Sequence, residues 1–84
     1  MWVQQKHYQF VGAILVAARE RADLTQQELA RRLAKPQSFV SAYERGQRRV
    51  DVLELIRISE AVGADPTKVF AEIRKHSDGM RNRK

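Results

Sequence analysis

The stretch from Leu24 to Gly46, LTQQELARRLAKPQSFVSAYERG, leaves the chain few ways to fold. Thr25-Gln26-Gln27-Glu28 fits a capping box, in which the Thr25 hydroxyl accepts from the Glu28 backbone N–H and the Glu28 carboxylate reaches back to the Thr25 N–H. The spacing predicts a short helix with Leu29, Ala30 and Leu33 on its inner face. Pro36 is excluded from a helix interior but suits the first turn of one. Ala34-Lys35 therefore reads as a tight turn, and a second helix runs from about Gln37 to Arg45. Val40 and Tyr43 face inward along it. Gly46 is placed to end that helix in the left-handed conformation other residues avoid.

Two short helices joined by so tight a turn make a helix-turn-helix, whose second helix enters the major groove of DNA. TQQELARRL, the turn, and SFVSAYERG together resemble the helix-turn-helix regulators that include the phage Cro and C1 repressors, the XRE family. The resemblance runs from about Val11 to Phe70 and takes in RRVDVLELIRISEAVGADP. It implies an all-α, five-helix, lambda-repressor-like domain. One departure stands out: Ala34 occupies the turn position where the family most often has Gly. Its backbone must be either strained or slightly rearranged.

Charge agrees with a polyanionic partner. The chain of 84 residues carries +6 with a pI near 10.3. Between Leu24 and Val50, Arg31, Arg32, Lys35, Arg45, Arg48 and Arg49 oppose only Glu28 and Glu44, so most of the excess sits on the segment that would face DNA. With no cysteine, neither a disulfide nor a thiolate metal site can supplement helix packing. The longest apolar run, Val11 to Ala18, is too short for a membrane helix and contains Gly12. The start, MWVQQKH, lacks the features of a secretory signal, so a cytoplasmic location is expected.

In chain order, residues 1–5 are expected to form a flexible tail, 6–75 the domain (helix-turn-helix about 25–45), and 76–84 a basic disordered tail. Helix one should span roughly Lys6 to Ala22, with Val11, Leu15, Ala18 and Ala22 on one stripe. Phe10, Ile14 and Ala17 form a second stripe, either more core or a surface for the N-terminal tail or another subunit. By the resemblance, Arg19 near its end pairs with Glu44 of the recognition helix, a structural ion pair. After the basic loop Gln47-Arg48-Arg49, Asp51 and Glu54 repeat the capping pattern. Val52, Leu55, Ile56, Ser59 and Val62 are read as the inner face of helix four, with Leu53 opposite and Gly63 as terminator. Asp65-Pro66 starts helix five, which bears Val69, Phe70 and Ile73.

Position assigns the DNA roles. Gln37, Ser38 and Phe39 should lie nearest the bases with Ser41 and Ala42 behind; Gln suits adenine N6 and N7. Phosphates fall to Gln26 at a helix N-terminus and to Lys35, Arg45, Arg48 and Arg49. His7 and His76 lie far apart with no carboxylate or cysteine constellation and are read as surface residues. No catalytic residue, cofactor, metal or small-molecule ligand is expected. The expected function is a sequence-specific double-stranded-DNA-binding transcriptional regulator, a repressor acting as a homodimer on an inverted repeat. The alternatives are an antitoxin bound to a toxin and its own operator, and a controller of a restriction-modification system. Single-stranded nucleic acid would need stacking aromatics, and only Phe39 qualifies. Leu53, Val69, Phe70 and Ile73 are the expected dimer interface, with the second stripe of helix one and Trp2 as the competing surface.

Overall fold

Both capping boxes form, and with them the helix starts that local chemistry dictates. The computed structural model describes residues 3–81. A 3₁₀ turn at Gln5–His7 leads into α1 (Tyr8–Arg21), followed by α2 (Gln26–Leu33), α3 (Gln37–Glu44), α4 (Val52–Ala61) and α5 (Pro66–Arg81). At α2 the Glu28 N–H donates to Thr25 Oγ1 at 3.1 Å and the Thr25 N–H to Glu28 Oε1 at 2.8 Å. That backbone bond holds the Glu28 carboxyl below the usual carboxylate range. At α4 the Glu54 N–H donates to Asp51 Oδ1 and the Asp51 N–H to Glu54 Oε1. Pro36 stands just before α3, extended at φ −65° and ψ 154°, one residue earlier than a first-turn proline would be.

Helix ends show one recurring solution. Asp23, Ala34, Gly46 and Gly63 all adopt positive φ, between 55° and 74°. In each case the following N–H reaches back five residues: Leu24 to Arg19, Lys35 to Ala30, Gln47 to Ala42 and Ala64 to Ser59. These are Schellman ends. The turn between α2 and α3 is therefore not rearranged. Ala34 sits at φ 55° and ψ 43°, a conformation that costs a residue with Cβ roughly 1–2 kcal/mol.

Leu15, Leu29, Val40, Tyr43 and Ile58 are almost fully buried and draw on α1 to α4, with Val69 of α5 completing the core. Ser59 is buried with them and donates to the Leu55 carbonyl at 2.7 Å. Ile14 is core, so the second stripe of α1 is in part a wider inner face, while Phe10 stacks on His76 with ring centroids 5.7 Å apart. Gly12 is the point where α1 meets α3. A Cβ there would overlap the Glu44 carbonyl oxygen and stand 2.7 Å from that of Tyr43. Only a residue without a side chain lets the end of α3 approach this closely.

Several expectations are corrected. The frayed segment gives way at Gln4, whose N–H donates to His7 Nδ1 at 2.9 Å, and His7 is buried, not a surface residue. Met1 and Trp2 lie outside the described residues. Val52 is exposed and Ile58 buried, because the core side of α4 is Leu55, Ile58, Ser59 and Val62, a stripe rotated from the expected one. Residues 76–81 continue α5, where a disordered tail was expected; the Phe10–His76 stack and an Arg74–Asp78 pair at 3.8 Å secure this stretch. Among the described residues no helix is long and apolar enough to cross a membrane.

Candidate nucleic-acid interface

The outward side of α3 is set by what its inward side buries. Val40 and Tyr43 go into the core, which leaves Gln37 and Ser38 exposed at the N-terminal end. Phe39, Ser41 and Ala42 are half-buried along its flank.

A line of hydrogen bonds runs from the interior to this surface. Arg19 meets Glu44 with two bonds, Nε to Oε2 at 2.7 Å and Nη2 to Oε1 at 3.1 Å, and its Nη1 donates to the Leu24 carbonyl at 2.8 Å. The Glu44 side chain is only 3% exposed, so this fork is its charge partner in a dry site. Gln26 Nε2 then donates to Glu44 Oε1 at 2.8 Å, and Gln37 Nε2 donates to Gln26 Oε1 at 3.2 Å. A carboxylate only accepts, so the Gln26 amide nitrogen must face Glu44 and its oxygen must face Gln37. That orients Gln37 in turn. The bond to Gln26 uses one of its two amide hydrogens. The other, with the carbonyl oxygen, matches the acceptor and donor of an adenine edge.

Cationic candidates surround this end. Lys35, Arg45, Arg48 and Arg49 are all exposed, with the Arg49 guanidinium 5.7 Å from the Tyr8 ring. Arg48 differs from the other three: its fork is engaged by the Glu54 carboxylate at 2.9 and 2.8 Å. Sequence reasoning missed the Gln26–Glu44 and Gln26–Gln37 bonds. They span 18 and 11 residues, and no spacing rule brings those side chains together.

The residues assigned to self-association separate. Leu53 and Phe70 are exposed at 72% and 57%. Val69 is 2% exposed and belongs to the core, which corrects its place in an interface. Ile73 is half-buried against that core. Val52 and Phe70, with Phe10, Val50, Ile56 and Ile73, line an open apolar groove of about 660 Å³. Among the described residues no group of three or more His, Asp or Glu side chains could hold a metal ion.

The helix-turn-helix family profile matches residues 15–69 of this chain. The control protein C.MunI of Mycoplasma sp is 30% identical over 57 residues, 68% of this chain and 77% of that protein. An XRE-family-like protein from Pseudomonas syringae pv. tomato str. DC3000 superposes with a TM-score of 0.76 at 39% identity, covering 84% of this chain and 87% of that one. The restriction-modification controller protein C.AhdI from Aeromonas hydrophila superposes with a TM-score of 0.72 at 26% identity, covering 77% and 94%. With the capped helix pair, the left-handed turn and the Arg19–Glu44 pair in place, the chain belongs to the Cro/C1-type (XRE) family of helix-turn-helix proteins.

Proposed function

We propose that this protein is a sequence-specific double-stranded-DNA-binding transcriptional regulator, acting in the cytoplasm as a homodimer on an inverted-repeat operator. The observation that carries the reading is the line Arg19–Glu44–Gln26–Gln37, which presents a preoriented amide at the start of the recognition helix. Gln37 and Ser38 read bases, with Phe39, Ser41 and Ala42 along the groove wall. Gln26, Lys35, Arg45 and Arg49 position the backbone. Repression follows most simply, since blocking a promoter needs no surface beyond the DNA-binding one. Likeness to two control proteins supports a second, narrower reading: the controller of a restriction-modification system, which adjacent nuclease and methyltransferase genes would establish.

Selection of bound duplexes from a random pool at stated salt tests the main reading, with a palindrome as the expected product. On the selected site Gln37→Ala should cost about 1–3 kcal/mol, and much less on random duplex. An equal loss on both would make Gln37 a positioning group and not a reader.

Dimerisation is best supported on the apolar side chains that α4 and α5 leave outside the core: Val52 and Phe70 are exposed along one groove with half-buried Ile56, and exposed Leu53 lies on the adjoining side of α4 beside Arg57 and Glu60. Half-sites about one helical turn apart, roughly 34 Å, suit two copies joined there. Leu53→Glu and Phe70→Glu should keep full helicity, lower the sedimenting mass and weaken binding to the full palindrome. An unchanged dimer in both variants would move the interface to the N-terminal helix. Ile73 is a poor probe, because its burial mixes folding with association.

A further inference from the structure

We infer that Arg48 is a positioning residue, which ties the recognition helix to α4 through the Phe39 ring and the Glu54 carboxylate and does not contact a phosphate. This rests on the DNA-binding reading above and assigns Arg48, alone of the basic loop, a different part in it.

The backbone packing creates the need for such a tie. α3 packs chiefly on α1 and α2, whereas α4 packs chiefly on α2 and α5. The recognition helix and the helix bearing Val52 and Leu53 therefore have little direct backbone contact. Phe39 and Arg48 span the gap between them. The Phe39 ring packs edge-to-face with Tyr43 of its own helix, centroids 5.6 Å apart, and the Arg48 guanidinium carbon lies 4.6 Å from the Phe39 centroid. Lys35 adds a second cation at 5.6 Å. On its far side the same guanidinium forks onto Glu54, Nη1 to Oε1 at 2.9 Å and Nη2 to Oε2 at 2.8 Å, while Nη1 also donates to the Arg49 carbonyl. Glu54 is no loose surface partner, since its Oε1 also accepts the Asp51 N–H as the closing bond of the α4 cap. Arg48 holds its carboxyl below the usual carboxylate range.

The chemistry is specific to arginine. A planar fork can stack on a ring by its face and hold a carboxylate by its edge at once; the point charge of lysine cannot do both. With three of its five N–H groups spent on Glu54 and the Arg49 carbonyl, Arg48 has two left for a phosphate, and its charge is already matched through the Glu54 bonds. Those bonds fix the angle of α3 against α4. In a dimer joined at α4 and α5, that angle sets how the two recognition helices meet successive grooves.

The test compares affinity for the selected palindrome and for random duplex across a salt series, using the whole chain. Arg48→Lys, which keeps the charge, should weaken palindrome binding roughly 3- to 10-fold and leave random-duplex binding and the salt slope unchanged. Glu54→Gln should weaken palindrome binding similarly, although it removes a negative charge that would repel DNA. The two together should be little worse than either alone. Asp51→Ala weakens the same helix cap without touching the tie, so its ratio of palindrome to random affinity should stay that of the parent. In the protein without DNA, the Phe39 ring proton shifts should move on Glu54→Gln. The inference is overturned if Arg48→Ala lowers the salt slope by about one on both duplexes, which is the phosphate signature expected of Arg49→Ala. Tighter palindrome binding by Glu54→Gln, additive losses, or unmoved Phe39 shifts would overturn it equally. Retention of neither duplex by the parent protein would bring down the DNA-binding reading, and the positioning role with it.

Discussion

Replacing Arg19 with Met should lower stability by about 3–5 kcal/mol, because it strips the charge partner from a carboxylate sealed inside the protein. Glu44 is held by two bonds from Arg19, and its side chain is 3% exposed. Gln26 alone cannot replace a cation there. A domain of 84 residues has about 4–13 kcal/mol of stability in all, so the loss is a large share of it. At about 4–8 °C per kcal/mol the melting temperature should fall by tens of degrees. Thermal melts followed by circular dichroism measure this directly. Arg19→Met with Glu44→Leu should recover much of the loss, since removing both charges leaves none stranded. The double variant should still fail on a specific site, because Gln26 then has no carboxylate to orient it and Gln37 loses its support. A single variant within about 1 kcal/mol of the parent would show that the pair is not what holds α1 to α3.

Gly12→Ala should be the most damaging of the minimal substitutions. In an exposed helix the change would help by about 1 kcal/mol, since alanine is the better helix former. Here the added carbon would run into the Glu44 carbonyl oxygen and stand 2.7 Å from that of Tyr43, both of them backbone. Neither atom can rotate away, so the two helices must separate. Overpacking of this kind costs roughly 1–3 kcal/mol or more and outweighs the propensity gain. The displacement falls on the end of the recognition helix that carries Glu44. Specific DNA binding should therefore drop further than the fraction unfolded explains, even at temperatures where the variant is fully helical. Denaturant unfolding and binding titrations on the same sample separate the two effects. A stabilised Gly12→Ala would mean that the interface has room the packing does not show.

Gly12 also marks the limit of what the primary structure can declare. As a glycine inside an apolar run it was visible from the start; that it faces two carbonyl oxygens of another helix was not. The starts of α2 and α4 were legible because a capping box closes within three residues, and the ends of α3 and α4 because a left-handed glycine acts on the turn beside it. Residues Thr25 to Gly46 thus specify two helices and the turn between them with little help from elsewhere, and Ala34 adopts the strained form rather than altering the turn.

Which side of a helix is buried is a different kind of question. It depends on the angle at which the next helix crosses, and small rotations decide it. Val52, read as inward, is exposed, and Ile58, which had no place on the expected face, is buried for this reason. Val69 turned inward while its neighbour Phe70 stayed out, so the surface left for another subunit is not the apolar list of helix five. The extension of α5 to Arg81 depends on a ring of α1 stacked on His76, a contact 66 residues away in the chain. The hydrogen-bonded line from Arg19 to Gln37 and the bridge from Phe39 to Glu54 are of the same kind. Bonds closed within one turn of backbone were determined by the sequence itself. Those that join side chains from separate helices exist only because tertiary packing brings the helices together.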